Sequence, residues 1–296
     1  MESVTPYRKA KLEAGIEKTV AVDGRTYHYW DRGEGPALLL LHGLGGSAYD
    51  WRFVYDDLVA AGFRALAWEM LGAGYSDKPP EDDYRVPAQA DRAARFLEAI
   101  GVAKAHVLGN SYGGALGLRL AAQYAPRVDR LVLLDPASMP QDLPMHVRVL
   151  RARGFAEVAV NVPPKKWLIR RTLREVFADP EKIREEDVEE YAHEASLPGA
   201  ARAMMATARQ IEPEMAGRYA ATYKRIQSPT LILWGEEDRV TPLRCGHQLR
   251  ELIPGALLRP LPRCGHCPHM EYPGSTLLAI LDFLGAAPAR AAEVVA

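Results

Sequence analysis

Five consecutive apolar residues, Ala37 to Leu41, run directly into His42-Gly43-Leu44-Gly45-Gly46. A strand with no polar alternate must have both faces covered, which is the situation inside a parallel sheet. Short segments of the same kind recur at Phe63 to Trp68, Ala105 to Leu108, Arg130 to Leu134, Thr230 to Trp234 and Leu257 to Leu261. Between them lie stretches with helical spacing: Ser47 to Ala61, Val86 to Ile100, Gly113 to Tyr124, Leu243 to Ile253 and Ser275 to Leu284. Near the start, Glu17 to Val22 and Arg25 to Trp30 flank Asp23-Gly24, a hairpin signal. Strand and helix in alternation predict an α/β fold with a doubly wound, mostly parallel sheet.

The rhythm stops between Ser138 and Arg225, where no buried strand is evident and the sequence is charged and helix-like, as in Arg184 to Ala195 and Ala200 to Gln210. That stretch predicts a helical cap inserted after the sixth strand, over residues 138–225, leaving 1–137 and 226–296 as the core. The last twelve residues read as a frayed tail. Lysine plus arginine number 37 against 38 acidic residues, so the chain lacks the basic excess of a nucleic-acid binder. No apolar run approaches the roughly 18 residues of a membrane span. The first fifteen residues lack the apolar stretch of a secretory signal, and three cysteines are too few for a disulfide framework. A cytoplasmic protein without membrane or nucleic-acid partners is expected. The oligomeric state is not legible.

Gly109-Asn110-Ser111-Tyr112-Gly113 fits G-x-S-x-G, and it lies between a strand and a helix. A serine on so tight a turn stands proud of the sheet, and the helix amino terminus aims backbone N–H groups at developing negative charge. Its hydroxyl is a weak nucleophile until a base takes the proton. Of eight histidines, His42, His266 and His269 follow strands and are the contenders. His42 directly precedes the glycine loop and reads as shaping it. The imidazole in turn needs an acid partner. Asp238, in Gly235-Glu236-Glu237-Asp238 after a strand, is the first candidate, with Glu236, Glu237 and Asp135 behind it.

These pieces, with Gly72-Ala73-Gly74-Tyr75-Ser76-Asp77-Lys78-Pro79 and Cys264-Gly265-His266, resemble the α/β-hydrolase fold superfamily from about Tyr29 to Leu284, leaving the insertion unmatched. The resemblance implies a Ser111, His266 and Asp238 triad, with His269 a bystander. It implies an oxyanion hole from the backbone N–H groups of Leu44 and Tyr112, and no metal or organic cofactor. Glu69 stands where many relatives carry aspartate, and is read as structural. Serine at the elbow disfavours haloalkane dehalogenases and epoxide hydrolases, which place aspartate there. The expected activity is hydrolysis of small to medium acyl or aryl esters, lactones included, through an acyl-enzyme. The alternative is carbon–carbon bond hydrolysis of the meta-cleavage-product type, whose elbow is similar to Gly109 to Leu116. That group commonly has tryptophan where this chain has Cys267. A second alternative is a ligand receptor on the same fold.

Trp167, Leu168, Phe155, Met204 and Met205 are candidates to line an apolar substrate pocket; the competing reading is that they pack the insertion's own core. Cys264-Gly265-His266-Cys267 matches a disulfide-exchange motif, but Pro268 follows at once and no amphipathic helix is evident after it. A zinc site from Cys264, His266, Cys267 and His269 would crowd all its ligands into six residues. Gly43-Leu44-Gly45-Gly46 does not complete a dinucleotide loop. The acidic run Glu185 to Glu194 is read as a solvated helix face.

Overall fold

The structure is a computed structural model that describes residues 5–152, 166–211 and 213–287. Its eight strands are β1 (Glu17–Val22), β2 (Arg25–Arg32), β3 (Ala37–Leu41), β4 (Arg64–Trp68), β5 (Ala105–Asn110), β6 (Val128–Leu134), β7 (Thr230–Gly235) and β8 (Leu257–Leu261). They form one sheet in the order β1-β2-β4-β3-β5-β6-β7-β8. β2 is antiparallel to both β1 and β4, and every later pairing is parallel. The hairpin between β1 and β2 turns on Asp23 (φ 51°) and Gly24 (φ 71°), both left-handed as a two-residue turn demands.

The run Leu38 to Leu41 is fully buried, and its side chains alternate between two cores. Leu39 and Leu41 join one face, covered by helices α3 (Val86–Ala99) and α4 (Tyr112–Gln123). Leu38 and Leu40 join the other, covered by α2 (Tyr55–Ala60) and the terminal helix Pro273–Leu284. Each leucine removed from water on this scale contributes about 1.5–3 kcal/mol.

Three local expectations change. Ser47 to Ala61 is not one helix: a 3-10 turn at Ala48–Trp51, capped by the Ser47 hydroxyl on the Tyr49 N–H, precedes α2. Thr5 and Pro6 start an unforeseen helix, α1 (Pro6–Glu13), with the Thr5 hydroxyl accepting from the Arg8 N–H. A single short helical turn, Pro268–Glu271, follows Cys267 directly.

Between β6 and β7 the described chain is helical: α5 (Met145–Arg151), α6 (Lys166–Val176), α7 (Glu185–Ser196), α8 (Ala200–Gln210) and α9 (Pro213–Tyr223). α1 and its cap tie to this stretch and to the loop after β4. Thr5 donates to Glu190 Oε1 at 2.9 Å, and the Arg8 guanidinium lies 3.0 Å from the Tyr75 ring centroid. After β7 come α10 (Leu243–Leu252), β8, α11 (Pro268–Glu271) and α12 (Pro273–Leu284). Among the described residues no helix is long and apolar enough to cross a membrane.

Candidate active site

Parallel strands end at a common edge, and residues just beyond β5, β6, β7 and β8 meet there. Ser111 lies between β5 and α4 with φ 52° and ψ −115°, a conformation L-residues rarely adopt. Its N–H donates to the Leu134 carbonyl and its own carbonyl accepts from Ala137, each at 3.0 Å, so the end of β6 and the loop after it pin it on both sides. A Cβ on Gly113 would stand 2.1 Å from the Leu41 carbonyl oxygen, so only glycine lets α4 start this close to β3.

His266, in the loop after β8, is buried; its N–H donates to the Val176 carbonyl at 2.7 Å, which places it under the end of α6. Its Nδ1 is 2.7 Å from Asp238 Oδ2. A ring nitrogen facing a carboxylate carries the proton, which leaves the lone pair on Nε2. Asp238 also accepts from Val240 N–H (2.7 Å), Thr241 N–H (3.0 Å) and the Thr241 hydroxyl (2.6 Å). Burial pushes this carboxyl up, but the His266 charge and these donors outweigh it and hold it below the usual carboxylate range.

Ser111, Tyr112, His266 and Leu44 line one cavity of about 980 Å³, with mostly apolar walls. Its size is at the upper end for small-molecule sites, roughly 300–1,000 Å³. Asp238 sits behind His266, outside the lining. Trp167, Leu168, Met204 and Met205 all border the cavity; Trp167 and Leu168 are also exposed, whereas Met205 is buried. Met204 Cε comes within 3.2 Å of where a Cβ on Gly45 would be, in the turn that carries Leu44. Phe155 lies outside the described residues.

The other two candidate histidines, His42 and His269, do not line this cavity. His42 Nε2 accepts from the Met70 N–H at 3.2 Å, so Nδ1 carries the proton it shares with the Gly43 carbonyl at 2.8 Å. It staples the glycine turn. His269 is fully buried against Trp51, with ring centroids 4.6 Å apart, and neither ring nitrogen has a hydrogen-bond partner. Burial first, then the Arg52 and His266 charges, pull its pKa from 6.5 to about 3. Burial pushes the Cys264 and Cys267 thiols up, the reverse of what disulfide exchange needs, although Cys267 does precede α11. Glu69 is wrapped by the loop after β4, its Oε2 accepting from the Tyr75 N–H at 2.6 Å.

The acidic run on α7 is not a solvated face. Asp187, Glu190 and Glu194 are buried and point at the core. Glu194 accepts from the Ser47 hydroxyl at 2.7 Å, and Tyr191 donates to Asp50 Oδ1 at 2.7 Å, so α7 braces the turn bearing Leu44. Two further contacts have no signature in sequence. The Thr241 hydroxyl reaches Asp238, and the Asn110 side-chain amide donates to the carbonyls of Leu134 (3.1 Å) and His266 (3.0 Å). Asp135, Asp238 and His266 form the described group with metal-ligand spacing. Asp238 already accepts from the four protein donors above.

A strained serine elbow, an imidazole backed by a carboxylate and an eight-stranded sheet define a hydrolase of the α/β class. The family described as alpha/beta hydrolase fold matches residues 36–273, and the chain belongs to it. The chain is 31% identical, over 87% of its length and 90% of the relative's, to a 2-hydroxy-6-oxo-6-phenylhexa-2,4-dienoate hydrolase of Burkholderia cepacia. It is 29% identical to a 2-hydroxymuconate semialdehyde hydrolase of Pseudomonas sp. (strain CF600), over 93% of this chain and 96% of that one. The solved structure of a meta-cleavage product hydrolase from Pseudomonas fluorescens IP01 superposes with a TM-score of 0.80 at 27% identity, covering 92% of this chain and 98% of that one.

These relatives overturn the expected ester hydrolysis and the carboxylesterase label, because they are named for a phenylhexadienoate, a muconate semialdehyde and a meta-cleavage product, none of them an ester. The physical reason is plain. An elbow serine, a histidine and an acid serve attack on any carbonyl, so the motifs that identify the fold carry no information on which bond leaves.

Proposed function

We propose that the protein hydrolyses the carbon–carbon bond of a 2-hydroxy-6-oxohexa-2,4-dienoate, a ring-cleavage product. The observation that carries this reading is the likeness, over nearly the whole chain, to relatives named for that substrate class. The apolar cavity beside Ser111 supports it, because such a substrate pairs a compact dienoate with a substituent at C6. The described helices between β6 and β7, α5 to α9, act as a cap over the carboxyl edge of the sheet.

In this reading the dienol first ketonises, placing a proton on C5 and making C2 a carbonyl. Ser111 then attacks the C6 carbonyl while His266 Nε2 takes the hydroxyl proton and Asp238 holds the imidazolium. The C6 oxyanion meets the N–H groups of Leu44 and Tyr112. When the C5–C6 bond breaks, its electron pair is delocalised through the enone to the C2 oxygen, which makes carbon a feasible leaving group. Protonation releases the hydroxypentadienoate, and water attacks the Ser111 acyl ester to free the carboxylic acid.

The test follows loss of the dienolate chromophore with the 6-phenyl, 6-methyl and aldehyde substrates. Turnover by the native enzyme that Ser111→Ala abolishes is expected. Binding of all three without turnover overturns the reading in favour of a receptor.

A further inference from the structure

The mechanism uses one buried carboxylate and leaves another beside it. Asp135 follows β6 at the same sheet edge, is fully buried, and has φ 44°, uncommon for a residue other than glycine. Its Oδ1 accepts from the Gly235 N–H at 2.8 Å, while Oδ2 meets no donor. One oxygen of Asp135, one of Asp238 and a ring nitrogen of His266 lie within 4.8 Å of one another. The titratable groups facing Asp135 are Asp238 after β7, Cys264, His266 and Cys267 after β8, and Glu271 on α11.

Two carboxyl groups this close and this dry cannot both ionise, so one keeps a proton. The count of donors decides which. Asp238 receives four hydrogen bonds that favour its anion, and Asp135 receives one. From this geometry we infer that Asp135 is held as the neutral acid and donates from Oδ2 to Asp238, making it a positioning residue for the acid partner of His266. Room for that bond exists, because the Thr241 hydroxyl has a second acceptor in the Asp135 carbonyl at 3.4 Å. Burial, and next the Asp238 charge, push the Asp135 carboxyl well above the ordinary range, in the same direction. The consequence is electrostatic: a neutral Asp135 spreads the Asp238 charge, whereas an ionised one would add a second negative charge beside the His266 ring.

The inference rests on the reading of His266 as base and Asp238 as its acid. It is tested by NMR titration of the His266 ring in the resting enzyme, assigned by its loss in His266→Gln. Asn at 135 copies the protonated acid, keeping an acceptor for Gly235 and offering N–H to Asp238. Asp135→Asn is expected to leave the His266 titration within about 0.3 pH unit of native. A fall of about one unit or more in that variant would show that a negative charge had been removed, and overturns the inference. Asp135→Ala, which deletes the donor without changing charge, is expected to move the titration upward by about half a unit; no movement also overturns it. The titration needs no substrate, so failure to turn over dienoates and failure of proton sharing give separate results.

Discussion

The Asn110 side-chain amide donates to the backbone carbonyl of His266 at 3.0 Å, joining the residue before Ser111, the proposed nucleophile, to the proposed base. The same amide also holds Leu134 at the end of β6. Three strand ends are therefore fixed relative to one another by one side chain. Preorganisation of this kind lets a hydroxyl and an imidazole meet without reorganisation at the moment of reaction.

Asn110→Ala removes both bonds and leaves two buried carbonyls without them. A loss of about 1–3 kcal/mol of stability is expected in denaturant unfolding. The kinetic signature is a fall in kcat of about 10–100-fold, with KM little changed, because the substrate walls are untouched. A KM effect of equal size would place Asn110 in substrate binding instead.

Ser111→Ala and Ser111→Gly are both expected to lose turnover by about 1,000-fold or more. Their stabilities should differ. Alanine keeps the cost of the left-handed backbone at this position, and glycine does not, so the glycine variant is expected to be more stable by about 1 kcal/mol. Thermal melts that rank alanine above glycine would mean that the elbow is not strained.

His269 makes stability depend on acid. The folded state keeps the ring neutral down to about pH 3, while the unfolded chain protonates it below about 6.5. Between those values the unfolded state binds more protons, so stability falls as pH falls. From pH 7 to 5 this group alone costs about 2 kcal/mol, and His269→Leu is expected to lose that much less on the same acidification. Urea titrations at the two pH values read the difference, and an unchanged acid sensitivity contradicts it. The same variant should keep most of its activity.

The walls of the cavity favour an uncharged C6 substituent. Among the dienoates, the 6-phenyl compound is expected to exceed the aldehyde in kcat/KM by about tenfold or more. Equal values, or preference for a carboxylated tail, would move the binding mode away from these walls.

Much of the fold was readable because its strands are short apolar runs bounded by glycine, and all eight proposed segments lie on the eight strands. That Ser111, His266 and Asp238 come to one edge was readable for a related reason: each follows a strand, and parallel strands deliver their ends together. The order of bonds to be cleaved was not, since the same groups attack esters and ketones alike. Nor were Asn110 and Thr241, whose partners are brought to them only by the tertiary fold. The α7 acids misled because charge along a helix signals solvent unless distant side chains come to meet it, here Tyr49 at Asp187, Thr5 at Glu190 and Ser47 at Glu194. For α1 a signal was present, Thr5 before Pro6, which is a capped helix start.

The bond from Thr5 to Glu190 spans 185 positions and links the beginning of the chain to the middle of α7. Any hinging of α7 away from the sheet must peel that first helix or break its anchor. A dye attached ahead of Thr5 would therefore report when α7 and that first helix part.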